Sequence, residues 1–500
     1  MKLFGAGDAL LISKYFQMRG FLVRAHIGLT YMPSRDILWI TLESLRWDHT
    51  TFADHGRNTT PNLQDLASRD DGFVSDQCYS HGIYTRSSTA SILTGRAPSN
   101  HGVGMYRSRL PESIDTIPRQ LADEGYWNIC ISPNGHISKA TGLNRGFDEF
   151  RFITSSTIRE ELPYRSLGKY LFNIYEHSGG LTTETSHHSV SYLKNQLAYK
   201  YLDQAQDNAD PLFLYMHYGD SHHPYVPPVS WREKFSEDLS MSVEEAIEVA
   251  TDMKENILNR IARGSDFSDQ EWNAIRVLYD TLVAYIDHMV GQVVNKAIEL
   301  LDDPIIVVTG DHGEHFGERG LIGHRLSVTH TLTNVPLLIY GPDIEVSRRD
   351  IVQHADVWEL LSEKIDVEIN VPVAVNPTES PREYAVVQKG GERTSKNLDE
   401  IQDINPKFSR EEFYERDLTA LIGESWIYYR PTTRSTGTLI SLDKDWTAVE
   451  DPEREEKLDS WYREWYEGNG HPVQTDDDTE EQTVEDEVKE NLKNMGYLVE

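Results

Sequence analysis

Asp311-His312-Gly313-Glu314 follows at once on a β-branched run, Ile305 to Val308, that stops at Gly310. A carboxylate beside an imidazole at a strand end is half of a site for a divalent metal. On that stretch alone, a polar loop with a satisfied histidine fits equally well. The other half lies near the start of the chain, where Glu43-Ser44 closes the apolar run Ile37-Leu38-Trp39-Ile40-Thr41-Leu42. Two such strands lying side by side would aim both carboxylates at one point. A third stretch, Tyr84 to Arg96, is a hydroxyl-rich loop turning into a helix, and amides at a helix start favour a nearby anion.

Side chains at strand ends need a sheet to hold them, and in open α/β sheets ligands bind beyond the carboxyl ends of the strands. Thr60-Pro61 reads as a helix start, with threonine as N-cap and proline in the first turn. A strand around Phe73 leads to the Tyr84 loop. Thr116-Ile117-Pro118 opens a helix ended by Gly125, and the strand Asn128 to Ile131 runs into Asn134-Gly135-His136. Pro211 to His217 is again strand-like and runs into Asp220-Ser221-His222-His223-Pro224-Tyr225. Residues Val229 to Asp269 read as a polar insertion bordering the site. Leu282, Ile286, Met289, Val293, Ala297 and Leu301 then recur at helical spacing, predicting one face packed on a sheet. This rhythm predicts an α/β fold, a doubly wound, mostly parallel central sheet flanked by helices. Short strands at Tyr384 to Gln388, Trp426 to Tyr429 and Thr438 to Leu442, then a charged helix from Glu453 to Tyr466, predict a smaller C-terminal α+β subdomain. The expected division is an N-terminal extension over 1–35, a catalytic domain over 36–362, the C-terminal subdomain over 363–470 and an acidic tail over 471–500.

The formal net charge of -33 and pI near 4.9 argue against nucleic acid or an anionic membrane as partner. Such an acidic balance is expected of a protein adapted to high salt, where screening relieves self-repulsion. The melting temperature is therefore predicted to rise strongly between low and molar KCl; a flat profile would leave an ordinary acidic protein. Cys78 and Cys130 form no disulfide framework or repeated metal-ligand spacing and read as buried thiols. No apolar run reaches membrane-spanning length, and the first twenty residues lack the features of a secretory signal, so a cytoplasmic location is expected.

The chain resembles the sulfatase family of the alkaline phosphatase superfamily. The resemblance rests on ILWITLESLRWD from Ile37, TPNLQDLA from Thr60, ILTGRAPSNHGV from Ile92, GFDEF from Gly146, LYMHYGDSHHPYVPP from Leu214, VVTGDHGEHFGERG from Val307 and VPLLIYGP from Val335. Sulfatases of the usual kind mature a cysteine to formylglycine within C-x-P-x-R. Aligned through Leu93-Thr94-Gly95-Arg96, that cysteine falls on Thr85, the proline on Ser87 and the arginine on Thr89. Formylglycine chemistry is thereby ruled out at this position. Glu43-Ser44 replaces the usual Asp-Asp and is similar to the threonine-nucleophile relatives, which include phospho-group transferases and phosphonate or phosphodiester hydrolases. The resemblance implies Thr85 as nucleophile and Glu43, Asp311, His312 and Thr85 as ligands of one divalent metal, Mn²⁺, Mg²⁺ or Ca²⁺. It implies His222 as a donor to the ester or leaving group, and Arg325 with His324 as the groups neutralising the transferring anion. His136 and Asn134 stand where the family has a lysine-x-histidine pair. Arg46, Asp48, Arg96, His101, His315 and His330 are expected to brace loops. The expected activity is hydrolysis of sulfate or phosphate esters of small-molecule, glycan or lipid substrates. The alternatives are a phospho-group transferase acting on a glycan or lipid acceptor, and a catalytically silent anion-binding homologue.

Overall fold

The computed structural model describes residues 35–153, 164–180, 187–341, 343–411, 413–442 and 446–473. Residues 1–34 and 474–500, which carry most of the expected extension and tail, lie outside them. The strands of the first part are β1 (Ile37–Leu42), β2 (Gly72–Tyr79), β3 (Trp127–Ser132), β4 (Glu149–Phe152), β5 (Leu212–Tyr218), β6 (Ile305–Gly310), β7 (His315–Phe316), β8 (Ile322–Gly323), β9 (Asn334–Tyr340) and β10 (Val352–Gln353). Among the described residues β7 and β8 pair only with each other. The other eight form one sheet in the order β10-β2-β9-β6-β1-β5-β3-β4. All its pairings are parallel except the two made by β9. The doubly wound, mostly parallel sheet expected from the sequence is present.

Alternation along the strands feeds two cores. Leu38, Ile40 and Leu42 of β1, with Ile306 and Val308 of β6, join the core that contains the helix Asp269–Leu300. Ile37 and Trp39, with Ile305 and Val307, join the opposite core, where Trp39 stacks on Trp358 at 4.6 Å between ring centroids. Every residue of β1, β5 and β6 is buried, as strands covered on both faces require.

The helix Asp269–Leu300 opens on a capping box between Ser268 and Glu271. The expected single apolar face proves too narrow. Most of the helix is buried, because the helices Ser191–Ala205 and Val243–Glu255 also pack against it. Much of the stretch taken for an insertion is therefore scaffold. The long helix also holds the segment that follows Glu43. Tyr279 accepts from Arg46 N at 3.0 Å and donates to Ser44 O at 2.8 Å. Asp280 binds His49 at 2.7 Å, His55 at 2.8 Å and Arg57 at 2.7 Å. Asp287 accepts from Asn62 N and Leu63 N, each at 2.9 Å. Asp287 thus does the capping expected of Thr60, whose hydroxyl accepts from Thr51 N instead.

Asp280 is fully buried, and removing it would leave a guanidinium and two imidazoles without their shared acceptor. Asp280→Ala is expected to cost about 3–5 kcal/mol of stability, read as a lower denaturant midpoint. A loss below about 1 kcal/mol would mean the segment is held elsewhere.

The second sheet is antiparallel and runs in chain order through β11 (Ala385–Lys389), β12 (Leu418–Gly423), β13 (Trp426–Pro431), β14 (Thr438–Ser441) and β15 (Thr447–Ala448). The helix Pro452–Asn469 covers one face, with Leu458 and Tyr462 against Val386, Leu421 and Tyr428. The other face sets Ala385, Val387, Ala420 and Ile422 against Tyr79, Ile83, Val328 and Leu332 of the first part. This is the expected small α+β region.

Candidate active site

Parallel pairing in register brings the site together. Leu42 of β1 lies opposite Gly310 of β6 and Tyr218 of β5, so the residues that follow emerge at one level. Glu43 continues the ladder with its amide on Tyr218 O at 2.9 Å. Ser44 then turns the chain away at φ 55, a left-handed conformation held by its amide on Asp311 Oδ1 at 3.0 Å. Thr85 comes from the loop after β2 and opens the helix Thr85–Thr94. Its Oγ1 lies 3.1 Å from Glu43 Oε1 and 3.2 Å from His312 Nε2. The side chains of Glu43, Ser44, Thr85, Asp311 and His312 are all buried.

The donor set fits a hard divalent cation. His312 Nδ1 lies 2.8 Å from Gly313 O, which can only accept, so that nitrogen carries the proton and Nε2 presents a lone pair. That lone pair faces Asp311 Oδ2 at 3.6 Å, and Asp311 Oδ2 is buried without a hydrogen-bond partner among the described residues. Acceptors turned on one another away from water are costly unless a positive charge sits between them. Glu43 Oε1, Asp311 Oδ2, His312 Nε2 and Thr85 Oγ1 would hold that charge, an oxygen-rich set with one imidazole.

A histidine cluster stands beside it. The His324 ring centroid is 4.6 Å from that of His312 and 5.3 Å from that of His222, and His222 lies 4.0 Å from His223. Ring nitrogens of His222, His223 and His324 fall within 4.8 Å of one another. Burial pushes the His222 imidazole below its usual value, and holds His223 and His324 well below it. His222 donates from Nδ1 to His223 O at 2.8 Å, leaving Nε2 as its acceptor. His324 Nδ1 meets Glu314 Oε1 at 3.2 Å, and Tyr225 donates to the other Glu314 oxygen at 3.2 Å. Burial pushes the Glu314 carboxyl up to about 8, against the pull of Tyr225 and Arg325. Arg325 is itself buried beside this cluster.

On the other side Asn134 donates from Nδ2 to Glu43 Oε1 at 3.0 Å and accepts the His136 amide at 2.8 Å. His136 receives Arg86 Nε on its Nδ1 at 3.1 Å. The structure therefore brings Glu43, Thr85, Asn134, His136, His222, Asp311, His312, His324 and Arg325 to one end of the sheet. Sequence reasoning passed over His217, whose Nε2 lies 3.2 Å from Glu43 Oε2, and Glu314, which orients His324. Both stand in quoted motifs, Glu314 in VVTGDHGEHFGERG and His217 in LYMHYGDSHHPYVPP, where nothing local named their partners.

The bracing residues sit around this centre. Arg46 bridges Asp48 and Glu318, His315 spans Gly323 O and Thr329, and His101 meets Ser91. A second group of metal-type ligands, His49, His55 and Asp280, already shares its carboxylate with Arg57 and reads as an ion-paired brace. Cys78 and Cys130 are free and buried. No helix among the described residues is long and apolar enough to cross a membrane.

An α/β sheet with an oxygen-rich site beyond its parallel strand ends is the setting in which the comparisons fall. The Sulfatase family model matches residues 35–363, and the chain belongs to that family. It is 27% identical over 313 residues to a choline-sulfatase of Rhizobium meliloti (strain 1021), covering 57% of this chain and 58% of that one. It is 24% identical over 322 residues to an uncharacterized sulfatase of Escherichia coli (strain K12), covering 62% and 63%. These matches span less than two thirds of either relative. Among solved structures, a phosphonate monoester hydrolase of Agrobacterium radiobacter superposes with TM-score 0.63 at 19% identity, covering 86% of this chain and 94% of that chain. A 2-O GAG sulfatase superposes with TM-score 0.57 at 13% identity, covering 87% and 91%. These two likenesses concern the fold alone.

Proposed function

We propose that the chain is a metal-dependent hydrolase of sulfate or phosphate esters with Thr85 as its nucleophile. The observation that carries this reading is the position of Thr85 Oγ1, within hydrogen-bond reach of Glu43 Oε1 and His312 Nε2. Thr85 donates to Glu43 Oε1, a carboxylate oxygen with a second lone pair, so the hydroxyl has somewhere to send its proton as it attacks. A divalent ion held by Glu43, Asp311, His312 and Thr85 would lower the hydroxyl pKa and draw charge from the ester oxygens.

Thr85 Oγ forms a bond to sulfur or phosphorus as the bond to the leaving oxygen breaks. His222, carrying a proton on Nε2, gives it to that oxygen and returns to the neutral form its buried setting favours. Arg325 and His324 would bind the equatorial oxygens, Arg325 through planar, paired donors. Asn134 holds Glu43 from behind and fixes the backbone of His136. Water then attacks the same centre, passing a proton to His222 Nε2, as the bond to Thr85 Oγ breaks and that oxygen takes back its proton from Glu43.

That second step favours phosphorus. A formylglycine hydrate expels sulfate through its second hydroxyl, and threonine has none. Phosphodiesters or phosphonate esters are expected to turn over at least tenfold faster than aryl sulfates of the same leaving group, measured as kcat/KM. A wide advantage for aryl sulfates would overturn the preference for phosphorus and leave the nucleophile untouched.

A further inference from the structure

The helix Glu392–Ile404, from the second sheet's unit, brings Arg393 over the ring of Tyr84, 5.5 Å from its centroid and one residue from Thr85. The placement is rigid, because β11 is fastened to the Thr85 loop. Gln388 donates its amide to His81 O at 2.9 Å, and its side chain accepts from Ser99 N at 2.9 Å. Arg86 lies on the other side of Thr85 with Nε on His136. Thr85 is fully buried, whereas Arg86 and Arg393, on either side of it, are each partly exposed.

Neither guanidinium has a carboxylate within ion-pair distance among the described residues, in a chain with 81 acidic residues. Packing does not account for this. An aliphatic side chain would cover Tyr84 without bringing a second positive charge near Arg86. The first turn of a helix is also the end where a cation gains nothing from the backbone dipoles. Arg393 on the Tyr84 ring and Arg86 two positions further along set two positive charges beside the same nucleophile. Two like charges kept together at a site mouth become favourable when an anion lies between them.

We propose that Arg86 and Arg393 form a second anion subsite at the mouth of the Thr85 pocket. The preferred ester then carries, on its alcohol side, a further anionic group such as a carboxylate, sulfate or phosphate. The inference rests on the Thr85 pocket being the place where the first anion binds.

Binding of inert phosphonates to the full chain with Mn²⁺, by calorimetry at one fixed salt concentration, tests it without turnover. Ethylphosphonate is compared with 3-phosphonopropionate and 4-phosphonobutyrate, which add a carboxylate at two reaches. At least one carboxylated ligand is expected to bind about tenfold tighter or more, the effect of one charge-assisted contact. Arg393→Met and Arg86→Met should each remove most of that ratio, and Arg393→Lys should keep part of it. Arg393→Glu should turn the preference toward 2-aminoethylphosphonate, an outcome that misfolding cannot mimic. Equal affinities across the series in the wild type, or a ratio that survives both methionine variants, overturns the subsite alone. Failure of ethylphosphonate itself to bind overturns the pocket reading and the subsite with it.

Discussion

Thr85→Ala is expected to lower kcat/KM by about 10⁴-fold or more, the scale seen when a nucleophile is removed from an intact site. Metal content should fall much less, because Glu43, Asp311 and His312 remain. That split separates a nucleophile from a residue that merely shapes the site. Thr85→Ser should retain part of the activity, since it keeps a hydroxyl in reach of Glu43 and His312. Turnover near wild type in Thr85→Ala would mean that another group, or water, makes the attack.

Removing the metal is expected to be as severe. Chelation should abolish turnover, and Mn²⁺ or a similar ion should restore it. Asp311→Asn and Glu43→Gln should each weaken metal binding on the order of 100-fold or more, since even groups that only orient a ligand cost ten- to a hundredfold. The two variants are expected to differ in their side effects. Asp311 Oδ1 accepts from Ser44 N at 3.0 Å and His312 N at 2.8 Å, bonds that asparagine can keep through its carbonyl oxygen. Glu43 meets Asn134, His217 and Thr85, so glutamine there brings its NH₂ against a donor or into competition for His217. Glu43→Gln should therefore lose more stability than Asp311→Asn. Full activity in a preparation shown by elemental analysis to hold no metal would contradict the donor-set argument.

Much of this arrangement was legible in the chain because it rests on local pattern. Buried runs that stop at a carboxylate identified β1 and β6, and parallel pairing then obliged Glu43 and Asp311 to emerge together. Thr85 was reached through its alignment with a family motif, which periodicity alone would not have supplied. The missing parts are contacts between residues far apart in sequence. His217 meets Glu43 across 174 positions, and Asp287 caps a helix 225 positions earlier. Neither leaves a periodic trace, because a buried acid on a helix looks the same whether it caps, bridges or faces water. Arg393 is the plainest case. Its helix drew no reading from the sequence, and its bearing on the site shows only once β11 is seen fastened to the loop that carries Thr85.

The most direct test of the nucleophile is the covalent adduct it must form. Enzyme trapped with a slow phosphonate or phosphodiester substrate, then digested and mapped by mass spectrometry, is predicted to carry the phosphorus-bearing group on Thr85. The adduct should be absent from Thr85→Ala. A group mapped to any other residue, or wild-type turnover with no covalent adduct under conditions that trap a known threonine or serine ester, would contradict the assignment.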